Sequence, residues 1–122
     1  MLFITKKLIN RLSEPYREPD MLACYATPQS FSARTSRAIL LISQDRVIIL
    51  YLNLFSTRVV HKVEYEVAEL EDQKYKDASL SAAGWSFSIK GQRCRFRIMK
   101  VILPLGSMQR DFLDFVERNI LD

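Results

Sequence analysis

Residues 84–99 read GWSFSIKGQRCRFRIM, and their period decides the architecture. Trp85, Phe87 and Ile89 alternate with Ser86 and Ser88; after Lys90-Gly91, Cys94, Phe96 and Ile98 alternate with Arg93, Arg95 and Arg97. Side chains two apart on a strand share a face, so this stretch predicts an antiparallel hairpin with one apolar face and one serine-arginine face. An apolar face of that kind needs a cover.

Upstream, short apolar runs recur with turn residues between them. Ala38–Ile42 and Val47–Phe55 are nearly continuous in Ile and Leu, separated only by Ser43-Gln44-Asp45-Arg46. They predict a hairpin buried on more than one face. Arg58–Tyr65 alternates Val59, His61, Val63 and Tyr65 against Arg58, Val60, Lys62 and Glu64, with Ser56-Thr57 as the turn before it. Met21–Ala26 reads as a first strand, Thr27–Ser36 as a hydroxyl-rich loop with an extended half around Phe31, and Val67–Tyr75 as a less regular acidic stretch. Downstream, Pro104 and Gly106 end the last strand and Ser107 offers a cap. Met108, Phe112, Phe115, Val116 and Ile120 then recur at helical spacing, leaving Gln109, Arg110, Asp114, Glu117 and Arg118 for water. This helix is the expected cover of the β body.

At the N-terminus, Ile4, Leu8 and Leu12 repeat every four residues around Lys6, Lys7 and Arg11, predicting an amphipathic helix that stops before Pro15. The bases interrupt its apolar residues, so it does not read as a secretory signal. SEPYREPD at 13–20 carries two prolines and four charges and reads as a connector. The organisation is therefore helix and connector over 1–20, then a β body with its closing helix over 21–122. A chain of 122 residues with 48% apolar and 26% charged types holds one ordinary domain. It has no run of about 18 apolar residues that would span a membrane.

The strand order resembles the pleckstrin-homology superfold. The stretch Leu40-Leu41-Ile42-Ser43-Gln44-Asp45-Arg46-Val47-Ile48-Ile49, a Val-rich strand and a late aromatic hairpin are similar to bacterial PH-like domains. The resemblance implies a mainly β (α+β) fold: a partly open barrel of two roughly orthogonal antiparallel sheets, about seven strands, capped by the C-terminal helix. It also implies binding rather than chemistry. Lipid-binding members of the superfold place a Lys near the end of the first strand and closely spaced bases on the second. This chain offers only Arg34 and Arg37 there, so that site is not carried over.

Charge is unevenly spread over a formal +4. Lys90, Arg93, Arg95, Arg97 and Lys100 fall within eleven residues that hold no acid, whereas Glu64–Asp77 carries six acids against Lys74 and Lys76. The basic row is the leading candidate site, suited to an acidic protein segment or an anionic lipid surface. As a plain solvated face it would instead pair with the acids around Glu66–Asp72. The helix residues Phe3, Lys6, Lys7, Leu8 and Arg11 form a second candidate, for a membrane surface; the competing reading is that the helix docks on its own barrel or on a second copy of the chain. Phe96 points away from Arg95 and Arg97, which argues against a base-stacking nucleic-acid platform.

No catalytic constellation stands out. Ser79, Ser81, Ser86 and Ser88 lie in no nucleophile-elbow motif, and Glu69 and Glu71 sit two apart on a polar stretch. Cys24 and Cys94 are 70 residues apart with no second His beside His61, so neither a metal nor a cofactor is expected. They read as free thiols of a cytoplasmic protein, which the basic groups could hold at the inner membrane face. A non-enzymatic adaptor domain is the expected function.

Overall fold

The structure, a computed structural model, describes residues 4–29, 37–77 and 79–121. Phe3, Phe31 and Arg34 lie outside the described residues. Helix α1 (Lys6–Ser13) is followed by strands β1 (Leu22–Pro28), β2 (Ala38–Ile42), β3 (Arg46–Leu52), β4 (Val59–Glu66), β5 (Glu71–Lys76), β6 (Ala82–Ile89) and β7 (Gln92–Met99). Helix α2 (Met108–Phe115) continues through a π-helical turn at Val116–Ile120. The fold is mainly β, and all strand pairings are antiparallel.

The strands run in the order β4-β3-β2-β1-β7-β6-β5, one open sheet with β1 at its hinge. Leu22–Ala26 of β1 pair with β2, whereas Thr27 and Pro28 pair with Arg97 and Phe96 of β7. The first strand is therefore longer than the sequence predicts, and Thr27-Pro28 is not loop. Proline is tolerated because it ends the strand, beyond the last pairing with β2. In the other direction β3 stops at Leu52. Asn53 Oδ1 accepts from the backbone N–H of Thr57 and Arg58, closing a turn that leaves Leu54 and Phe55 exposed.

β2, β3 and most of β1 are buried on both faces, whereas β4 alternates half-buried and exposed residues. Cys24, Leu40, Ile42, Val47 and Ile49 face a main core shared with Trp85, Phe87, Phe96 and Ile98, under Phe112, Leu113 and Val116 of α2. Ala23, Ile39, Leu41, Ile48 and Leu50 face a second core closed by Ile9 and Leu12 of α1 and by Leu105. This double burial is the reason β2 and β3 are apolar at nearly every position. Thr5 caps α1 by accepting from Leu8 N–H at 3.1 Å. Arg17 stitches the connector down, donating to the Met21 carbonyl at 2.8 and 3.1 Å and to Asn10 Oδ1 at 3.2 Å.

Two sequence expectations about α2 fail. Gln109, expected in water, is completely buried. Its carboxamide accepts from Tyr25 N–H at 2.7 Å and donates to the carbonyls of Tyr25 and Met99 at 2.8 and 3.0 Å. Extending the β1–β7 register would place Tyr25 opposite Met99, where the strands have splayed apart. The Gln109 side chain supplies the missing rung. Ser107 does not cap with its hydroxyl, because its backbone is not extended (φ −89°, ψ 3°); Oγ instead donates to Asp111 at 2.9 Å.

Candidate anion-binding face

The outer face of β5, β6 and β7 carries the basic row, but the five predicted bases do not act alike. Arg93 is fixed: it donates to the Asp72 carbonyl at 2.6 Å and carboxylate at 3.1 Å, and to Ser86 Oγ and Ser88 Oγ at 2.6 and 3.1 Å. Lys100 is held by the Asp77 carboxylate and the Ser79 carbonyl. Both side chains keep only 22% of their surface exposed. For Arg93 the solvated-face expectation of pairing with acids around Glu66–Asp72 describes the contact, whereas the partner of Lys100, Asp77, lies beyond that stretch. Arg95 and Arg97 are exposed in the middle of the strand, and Lys90 sits at positive φ in the β6–β7 turn, at the far end of the row.

Two bases absent from the predicted row join it. Lys74 pairs in register with Ser86 and Ser86 with Arg95; Lys76 pairs with Gly84 and Gly84 with Arg97. Two levels of the sheet thus read Lys, small residue, Arg across three strands. A bulge in β5 makes this possible. Asp72 and Gln73 occupy the place opposite Phe87, between the pairs Glu71–Ser88 and Lys74–Ser86, and Asp72 takes φ 49°. The extra residue shifts the alternation, so Lys74 and Lys76 turn outward and Tyr75 turns toward the core. Gln73, also released by the bulge, accepts from Trp85 Nε1 at 3.2 Å and donates to the Ile120 carbonyl at 3.0 Å. The bulge therefore ties α2, the core tryptophan and the basic face together.

Between these walls runs a groove of about 380 Å3, with Lys74 and Lys76 on one side, Arg93 and Arg95 on the other, and Gly84 and Ser86 on its floor. No Asp or Glu is among the described residues that line it.

The described residues of the sequence-predicted helix site divide between packing and solvent. Ile9 and Leu12 are buried in the second core and Leu8 packs half-buried against it, so the apolar side of α1 is docked on its own sheet. Lys7 and Arg11 are exposed, and the Lys6 side chain runs against Gly106. α1 does not stand beside the groove; its apolar face covers the opposite side of β2.

His61 is half-buried in a 5.9 Å stack on Tyr51. Cys24 is buried and Cys94 half-buried, both as free thiols. Burial pushes the Cys24 thiol well up, and it pushes Cys94 up against the opposing pull of Arg93. Among the described residues no three His, Cys, Asp or Glu side chains converge on a metal position. No helix is long and apolar enough to cross a membrane.

The chain path has a solved counterpart. The structure is similar to the hSac2 domain from the human phosphoinositide phosphatase Sac2, with a TM-score of 0.52 and 12% identity over 94% of this chain and 80% of that one. At that identity the likeness concerns the fold alone. No protein-family model matches the sequence, and no curated protein does.

Proposed function

We propose that this chain is a non-enzymatic, PH-like adaptor domain that docks an acidic protein segment on the outer face of β5–β7. The observation that carries the reading is the register of Lys74–Ser86–Arg95 and Lys76–Gly84–Arg97, which sets Lys and Arg on opposite sides of β6, along a groove with no carboxylate among its described lining residues. Bases two apart on a strand stand about 7 Å from one another, a spacing that an extended acidic segment repeats. The cytoplasm, where acidic partners are plentiful and thiols stay reduced, is the compartment that goes with it.

Peripheral attachment to an anionic membrane is the competing reading, and the burial of Ile9, Leu12 and Leu8 weakens it. Bases alone attract such a surface at about 1 kcal/mol each, whereas stable anchoring takes a second, apolar signal. Fluorescence anisotropy with a labelled twelve-residue Glu-rich peptide tests the proposal. The double substitution Arg95→Glu/Arg97→Glu is expected to weaken binding by about 30-fold or more, and raised salt is expected to weaken it in the wild type. Unchanged affinity in the double variant, or sedimentation with phosphatidylserine vesicles in the absence of any peptide binding, would overturn it.

A further inference from the structure

The groove holds more than positive charge, and its chemistry narrows the ligand. Apart from Gln29, whose carboxamide can donate or accept, the polar side chains on its walls and floor offer donors toward the open space. Lys74 and Lys76 bring ammonium groups from one wall and Arg93 and Arg95 guanidinium groups from the other. Ser86 Oγ already accepts from Arg93 at 2.6 Å, which leaves its own hydrogen to be given away. Among the described residues, the Asp72 carboxylate touches this cluster; it engages Arg93 and does not line the groove.

Shape adds a second restriction. β5 and β7 flank β6, so their backbones are about 10 Å apart. Long side chains leaning in from both walls leave room between them for a group only a few ångströms wide. The floor is open because Gly84 has no side chain. A β-carbon there would find only the Phe96 carbonyl, at an ordinary 4.0 Å, and Gly84 does not need the left-handed conformation.

A single carboxylate brings one charge and two oxygens to this setting, fewer than the donors that Lys74, Lys76, Arg95 and Ser86 present beside the paired Arg93. A phosphoryl monoester brings three acceptor oxygens and a charge near −2. Resting on the acidic-segment reading, we propose that the groove is a phosphoryl-binding site and that the docked segment carries a phosphoserine or phosphothreonine seated over Gly84 and Ser86. A protein segment is favoured over a lipid headgroup because, among the described residues, none of the exposed large apolar side chains (Leu54, Phe55, Val60, Leu80, Val101, Leu103) lines the groove. The groups at hand can hold a phosphate but offer nothing to enter a bilayer beside it.

The test uses the full chain and three probes: a ten-residue Gly-Asn-Ser peptide with one phosphoserine and no other acid, the same peptide with Glu at that position, and phosphatidic acid vesicles. The phosphopeptide is expected to bind at least about tenfold tighter than the Glu peptide and to shift the backbone amide resonances of Gly84, Ser86 and Arg95. Gly84→Val fills the floor while keeping every charge. It is expected to erase that preference, bringing the phosphopeptide and its Glu counterpart within about twofold of one another, a difference of about 0.4 kcal/mol. Lys74→Gln removes one wall cation without touching the floor and is expected to lower phosphopeptide affinity about tenfold.

Equal affinity for the phosphoserine and Glu peptides, a preference that survives Gly84→Val, or binding of the vesicles but not the phosphopeptide overturns the phosphoryl site. The broader reading fails separately, by absence of binding to the Glu-rich peptide in the wild type.

Discussion

Removing the Gln109 carboxamide takes the present partner from three backbone groups at once, Tyr25 N–H and the carbonyls of Tyr25 and Met99. Each polar group left unpaired away from water costs about 1–3 kcal/mol. Gln109→Ala is expected to lower unfolding free energy by about 3 kcal/mol in urea titrations. Gln109→Glu should be at least as damaging, because the shape survives but both N–H donors are replaced by an oxygen facing two carbonyls. Tyr51 offers a different single-residue signature. Burial, with Cys94 and Tyr65 nearby, holds its phenol up at about 12 against an ordinary value of 10. A group whose folded pKa is raised favours the folded state while protonated, so its contribution is intact below pH 10 and is lost as pH climbs toward 12. Melting temperature should therefore fall across that window, with phenolate absorbance at 295 nm rising later than in the denatured chain. Tyr51→Phe should flatten part of the fall; an unchanged pH profile would remove Tyr51 as its source.

At the scale of elements, α1 is a structural lid of the second core. Ile9 is completely buried there against a face made by Ile39, Leu41, Ile48 and Leu50. Ile9→Ala should cost about 2–4 kcal/mol, the range for a large aliphatic side chain cut back in a packed core, and dye binding should report the exposed face. A helix that merely sought a partner would show neither effect. The sequence makes α1, the β2–β3 hairpin and the β6–β7 hairpin visible because their apolar residues recur at a strict period or run without interruption. It hides β5, since EDQKYK contains one apolar residue and its period breaks at the Asp72–Gln73 bulge. Lys74 and Lys76 therefore read as part of an acidic stretch, although the register carries them to the arginine row. Only half of the candidate site, Arg93, Arg95 and Arg97, was legible. The other half depended on which strand lies next to β6, a long-range fact that local period does not encode. Thr27-Pro28 and Gln109 were hidden for a related reason, because each is defined by where β1 leaves one partner for another. A polar residue on a helix that fills a gap in a sheet looks, one-dimensionally, like any surface glutamine.

For the molecule as a whole, the seam at β1 raises the question of whether the two halves of the sheet unfold together. Among the described residues backbone pairing between them is short, Thr27–Arg97 and Pro28–Phe96 with a Gln29 N–H bond to the Arg95 carbonyl at 2.8 Å, against five paired positions between β1 and β2. The core, however, is common property. Cys24 and Ile49 from one half, Trp85 and Phe96 from the other, and Phe112 from α2 belong to one buried cluster, and the Trp85 and Phe112 rings meet edge-on at 6.3 Å. Burial of shared apolar surface couples elements without needing ladder hydrogen bonds. In a Cys94→Ser background, the urea dependence of Cys24 labelling by a thiol reagent should therefore coincide with that of Trp85 fluorescence, in midpoint and slope, as one transition. Cys24 becoming reactive well before Trp85 is released would mean that the halves open independently and that the seam is a hinge. Gln109→Ala sharpens the comparison, since it cuts the side-chain rung across the seam and leaves the shared core in place. If that rung matters only through total stability, both curves move to lower urea together. If it is what locks the halves in register, the Cys24 curve should move further than the Trp85 curve, and their separation would measure how much of the coupling one glutamine carries.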